Sequence, residues 1–124
     1  MENKLAQFTG HQFLNLETFR KSGVGVPTPV WFAEQDGVLY VSTIDNSGKV
    51  KRIRNNGRVR IAPCDARGGL KGEWVEAQAK MVEGETATKA NALLDKKYGF
   101  QKKMFDSMAK LRKNNHAMIQ IQLD

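Results

Sequence analysis

The sequence predicts a mainly β domain, a mostly antiparallel barrel with helices packed on its outside. Three observations carry this. Short segments rich in β-branched and aromatic residues alternate apolar with polar side chains. A tight-turn dipeptide, Asp36-Gly37, separates two of them. The elements run strands, a short helix, strands, helices and a last strand, which is not the regular alternation of a parallel sheet.

Phe13, Leu14, Leu16 and Phe19 form an extended run that ends in the turn Lys21-Ser22-Gly23. Residues 24–32 read as a strand interrupted by Pro27 and Pro29. Proline cannot donate to a ladder, so this strand belongs at an edge or starts irregularly. Residues 34–37 read as a turn and 38–43 as the second arm of a hairpin. Asp45, Asn46 or Ser47 could cap a short helix over 49–55, with Val50 and Ile53 three apart and Asn56-Gly57 as its stop. Residues 59–63 alternate as a half-buried strand, 66–72 form a glycine-rich loop, and 74–81 alternate again. Glu85 or Thr86 starts a helix that runs to Tyr98, with Ala87, Ala90, Leu93 and Leu94 on one face and Gly99 at its end. A further helix is predicted over 101–113, and a closing strand over 117–123.

The chain has 124 residues, 40% hydrophobic and 27% charged, the profile of one ordinary domain. Its single cysteine, Cys64, excludes an internal disulfide. The first residues lack the apolar run of a signal peptide, and nowhere do about 18 apolar residues follow one another. A cytoplasmic, non-membrane protein is the expectation. The net charge of +7 attracts polyanions, phosphorylated small molecules or anionic surfaces without choosing among them.

The segment Ser47-Gly48-Lys49-Val50-Lys51-Arg52-Ile53-Arg54 is the most informative. Free N–H groups and the dipole at a helix start favour anions and disfavour cations. Lysines placed there oppose the helix unless an anion arrives, and a phosphate would satisfy both. The alternative is a solvated basic face with Val50 and Ile53 turned inward. The glycine spacing of a Walker-type loop is absent.

Nucleic-acid binding is the main rival. Basic residues cluster at 49–60 and at Lys96, Lys97, Lys102, Lys103, Lys110, Arg112 and Lys113. The clusters lack interleaved aromatics for base stacking, and solubilising surface is the simpler account of the helical lysines. His11, His116 and Cys64 show no metal spacing, and no nucleophile, base and orienter can be assigned. Trp31 and Trp74 could line a ring pocket, although core packing is the simpler role.

Several segments together resemble a known family. Thr28-Pro29-Val30-Trp31-Phe32, Leu39 to Thr43, Ser47 to Asn56 and Val59 to Asp65 occur in the order and spacing of the pyridoxamine 5′-phosphate oxidase-like, FMN-binding split-barrel family. Ala62 to Gly68 and Lys97-Tyr98-Gly99 are similar to the branch described as using the deazaflavin coenzyme F-420. The likeness runs from about Phe13 to Leu123.

The resemblance implies a six-stranded antiparallel split β-barrel with flanking helices, one domain over residues 1–124. It implies a homodimer with two cofactor sites at the interface. Val30, Trp31 and Phe32 would lay their backbone along the ring. Ser42 and Thr43 would approach the ribityl chain and phosphate, which Lys49 would hold with Lys51 or Arg52. Trp74 would complete the partner's site. The cofactor would be FMN or, alternatively, coenzyme F-420. The activity would be hydride transfer between that cofactor and a small molecule, with no catalytic side chain required. A non-catalytic cofactor carrier is the alternative within the same resemblance. Gly57 stands where the family commonly has proline, which is expected to loosen the helix exit. The C-terminal extension of true pyridoxamine-phosphate oxidases is missing, so pyridoxamine phosphate is not the expected substrate.

Overall fold

One antiparallel sheet curls until its two ends belong to the same stretch of chain. In the computed structural model the described residues are 4–45, 47–99 and 116–124, with nothing said of the His116 side chain. The strands are β1 (Phe13–Phe19), β2 (Gly25–Trp31), β3 (Ala33–Gln35), β4 (Val38–Ile44), β5 (Arg58–Cys64), β6 (Val75–Val82) and β7 (His116–Leu123). Their order is β2-β1-β5-β6-β7-β4-β3, every neighbour antiparallel. β2 and β3 close opposite ends of the sheet, yet only Phe32 separates them. Together they form one broken strand. Among the described residues the expected six strands become seven because of that break.

The break has a side-chain cause. Phe32 is 2% exposed, and its backbone finds a side-chain partner where a strand neighbour would stand. Its N–H donates to the Tyr98 hydroxyl oxygen at 2.9 Å. That hydroxyl lies 2.8 Å from the Phe32 carbonyl oxygen and 2.7 Å from the Gln12 carbonyl oxygen, either of which can accept its proton. A buried backbone needs partners for both groups: the phenol oxygen accepts from the N–H, and the carbonyl has the phenol and Lys97 Nζ, at 2.8 Å, as donors.

Among the described residues β2 is an edge strand, paired only with β1. Pro27 and Pro29 are tolerated there because residues two apart present the same edge of a strand. The β3–β4 hairpin turns on two residues, since Gln35 pairs with Val38. Asp36 and Gly37 have φ of 54° and 83°, the positive pair that a tight turn with right-handed twist requires. The Asp36-Gly37 turn is therefore as expected, although residues 34 and 35, expected in the turn, belong to β3.

The barrel interior follows from alternation. Leu14, Leu16, Leu39, Val41, Val59, Ile61, Ile119 and Ile121 are all fully buried. Truncating one of the leucines to alanine costs about 2–5 kcal/mol. Helix α1 (Gly48–Asn55) turns Val50 and Ile53 inward. Among its three possible caps, Ser47 takes the role, its Oγ accepting from the Val50 N–H at 3.4 Å. The helix exit is tight where a loose one was expected. The Gly57 carbonyl accepts from the Ala79 N–H at 2.7 Å, and a Cβ on Gly57 would stand 2.7 Å from the Ala79 carbonyl oxygen.

Helix α2 (Gly84–Tyr98) lies outside the barrel, where Ala90, Leu94 and Tyr98 pack on Ala33 and Met118. It begins one residue before the expected Glu85 and ends at Tyr98 as expected. A short 3₁₀ turn, Lys4–Phe8, buries Phe8 edge-on against Phe32, with ring centroids 6.0 Å apart. The expected helix over 101–113 lies outside the described residues. Among the described residues, no helix is long and apolar enough to cross a membrane.

Candidate functional site

Where β2 approaches β4, a groove of about 270 Å³ opens. Phe13, Pro29, Val30, Trp31 and Ile44 give it apolar walls, and Thr28, Ser42, Thr43 and Lys49 give it polar ones. The topology explains the gathering. The β2 edge is not paired to β4, and the chain leaves β4 straight into α1, so the strand end and the helix start share one corner.

The electrostatics of that corner are one-sided. Lys49 donates to the Thr43 hydroxyl at 3.2 Å. Burial first, and the Arg52 charge second, hold its amine below the ordinary lysine pKa. Arg52 donates through Nε to the buried Thr18 hydroxyl at 2.6 Å and lies over Gly48, where a Cβ would come within 2.8 Å of its Nη1. Among the described residues neither cation is in an ion pair. The N–H groups of Gly48 and Lys49 also lack intrahelical acceptors by helix geometry. Two cations in no ion pair among the described residues, set at a helix start, make a corner that suits an anion, with Asp45 engaged by Arg54 of the same helix.

Of the expected residues, Val30, Trp31, Ser42, Thr43 and Lys49 meet in this groove. Arg52 stands behind it. Lys51 is exposed and does not line it. Phe32 turns its ring to the far side, and Tyr98 occupies its backbone, so it does not serve the groove. Trp74 lies just before β6, outside the strand expected to hold it, and its ring packs under the Arg60 guanidinium at 5.1 Å. It too stands outside the groove of its own chain.

The sequence pointed to no site role for Phe13, Ile44 and Tyr98, and placed Lys97 among solubilising surface lysines. Tyr98 stacks on Trp31, with centroids 4.6 Å apart and planes within 10°. It thereby holds the groove wall from behind. Burial raises its hydroxyl to about 12, so it stays protonated and keeps donating. Its place at the end of a helix, in Lys97-Tyr98-Gly99, marked it out, but a helix end does not reveal which strand it reaches. Among the described residues no cluster of His, Cys, Asp and Glu could hold a metal ion.

No protein-family model matches the chain, and no curated protein matches it. Solved structures do. HutZ, the heme storage protein of Vibrio cholerae, is 16% identical with a TM-score of 0.74, covering 96% of this chain and 86% of that one. A candidate pyridoxamine 5′-phosphate oxidase of Listeria innocua is 15% identical with a TM-score of 0.64, covering 97% and 90%. An FAD-binding protein of Mesorhizobium loti is 16% identical with a TM-score of 0.60, covering 96% and 86%. The chain has the split-barrel fold of the pyridoxamine 5′-phosphate oxidase-like proteins.

Proposed function

We propose that the groove binds a flavin-type cofactor, FMN or the deazaflavin coenzyme F-420, through its phosphate, and that the protein is an oxidoreductase acting on a small molecule. One observation carries the reading. Lys49 and Arg52 converge on a helix start with no ion-pair partner among the described residues, beside an apolar wall. That pairing of surfaces fits a ligand with a phosphate at one end and a flat apolar ring at the other. The flavin-binding and oxidase descriptions of structural neighbours agree with it.

When bound, the ring supplies the hydride chemistry. The chain's own part is binding and orientation. Lys49, Arg52 and the α1 N–H groups neutralise the phosphate, and Ser42 and Thr43 offer hydroxyls beside it. Val30 and Trp31 exclude water from one side of the ring. No protein acid or base is assigned.

We extend the proposal to a homodimer. Two large apolar side chains, Val24 and Leu70, stand 55% and 49% exposed and suit burial against a second copy. Binding without turnover is the second reading, favoured by a neighbour that is itself a storage protein.

The test is fluorescence titration of the purified protein with FMN and with coenzyme F-420. Saturable binding of either at one per chain is expected. Binding of neither contradicts the proposal. Turnover of the bound reduced cofactor with added acceptors then separates the oxidoreductase from the carrier.

A further inference from the structure

A second cavity, of about 320 Å³, lies on the other side of Phe32. Leu5, Ala6, Phe8 and Phe32 give it apolar walls, and Glu34 and Lys97 are its charged members. Lys97 is exposed as a residue, but its amine bends inward. Nζ donates to the Phe32 carbonyl at 2.8 Å and lies 3.6 Å from the centroid of the Phe32 ring. Among the described residues it is in no ion pair, and the carbonyl is its one hydrogen-bond acceptor.

An ammonium has three donors. One carbonyl and two ring faces, Phe32 and, at 5.2 Å, Tyr98, leave donor capacity that an incoming acceptor can fill. The walls suit an apolar body. A single negative charge matches the single amine, whereas a phosphate dianion would carry a second charge toward Glu34 and into an apolar enclosure.

We propose that this cavity binds a small monocarboxylate with an apolar body, its carboxylate paired with Lys97 and its body against Leu5, Phe8 and Phe32. The site is separate from the phosphate corner and does not depend on a cofactor. Burial lowers the Lys97 amine to about 8, so a bound carboxylate restores a charge that the cavity alone disfavours. Glu34 and Tyr98 are the other titratable groups facing it. Tyr98 stays neutral through this range, its hydroxyl raised to about 12.

The test is calorimetric titration of the full chain with benzoate, benzyl alcohol and benzylamine, which share one body and differ in charge. Benzoate is expected to bind saturably at one per chain, and benzylamine roughly tenfold more weakly or worse. Lys97→Met should lower benzoate affinity by roughly tenfold or more, the equivalent of one charge-assisted hydrogen bond. Glu34→Gln should raise it a few-fold, and Lys49→Ala should leave it unchanged. Affinity should also decline as pH rises through about 8, where Lys97 loses its proton. Benzylamine binding as tightly as benzoate, unchanged affinity in Lys97→Met, or no saturable benzoate binding would overturn the proposal.

Discussion

Lys49 and Lys97 both hold amines partly withdrawn from water, but they stand at opposite ends of helices and in opposite surroundings. Lys49 lies in the first turn of α1, where the helix dipole repels a cation. Lys97 lies in the last turn of α2, where the dipole favours one. A second cation, Arg52, crowds Lys49. Lys97 is depressed by burial alone and rests on a carbonyl and two aromatic rings. The first corner therefore carries surplus positive charge that only an anion relieves. The second holds one cation already half-accommodated. Two partly withdrawn lysine amines thus differ in what surrounds them, which is why we propose a phosphate for one and a single carboxylate for the other.

Four changes would break or sharpen that contrast. The largest effect belongs to Lys49→Ala, which should raise the FMN dissociation constant roughly 10- to 150-fold, the equivalent of one hydrogen bond to a charged group. Lys97→Met should leave FMN affinity nearly unchanged. Fluorescence titration of both variants reads the difference, and equal losses would erase the distinction between the two corners.

Tyr98→Phe comes next. It keeps the stack on Trp31 but leaves the Phe32 N–H without its acceptor. A loss of about 1–3 kcal/mol in urea unfolding is expected. Faster amide exchange at Phe32 should accompany it. Unchanged exchange there would mean that the phenol does not hold the break between β2 and β3.

The pH response is smaller. Lys97 titrates at about 8 in the folded chain and at 10.5 ordinarily. Between those values the unfolded chain holds the proton and the folded chain does not, so stability rises with pH across the window. Lys49, also depressed, acts in the same direction. Cys64 and Tyr98, raised to about 11 and 12, act against it above about pH 9, in wild type and Lys97→Met alike. The wild type should therefore gain on Lys97→Met between pH 8 and 10 in denaturant melts. A constant difference would place the Lys97 amine in open water.

Gly48→Ala should have the smallest effect. The new methyl would displace the flexible Arg52 guanidinium while improving helix propensity by up to about 1 kcal/mol. FMN affinity should fall a few-fold with stability unchanged or higher. A parallel loss of both would mean that Arg52 braces the fold and does little for the phosphate.

What the sequence revealed was what is local. The Asp36-Gly37 turn, a capped helix start within Asp45-Asn46-Ser47 and the in-out alternation of β6 each rest on neighbouring residues, and each is present, with Ser47 as the cap. The groove members Val30, Trp31, Ser42, Thr43 and Lys49 came from a resemblance in segment order. Phe32 was misjudged because an apolar aromatic after Val30 and Trp31 reads as more strand. Its break is made by Tyr98, 66 residues away. Gly57 was misjudged for the same reason, since the carbonyl that excludes a side chain there belongs to Ala79 on another strand. Lys97 looked like one of many surface lysines, and only the closing of the barrel turns its amine onto Phe32.

The central claim is that the Lys49 corner holds a phosphate, and removing the phosphate from the ligand tests it most directly. Titration of wild type and Lys49→Ala with FMN and with riboflavin, which share the ring and ribityl chain, isolates that group. FMN should bind wild type roughly tenfold or more tightly than riboflavin, and Lys49→Ala should bring the two close together. Riboflavin binding wild type as tightly as FMN would contradict the claim.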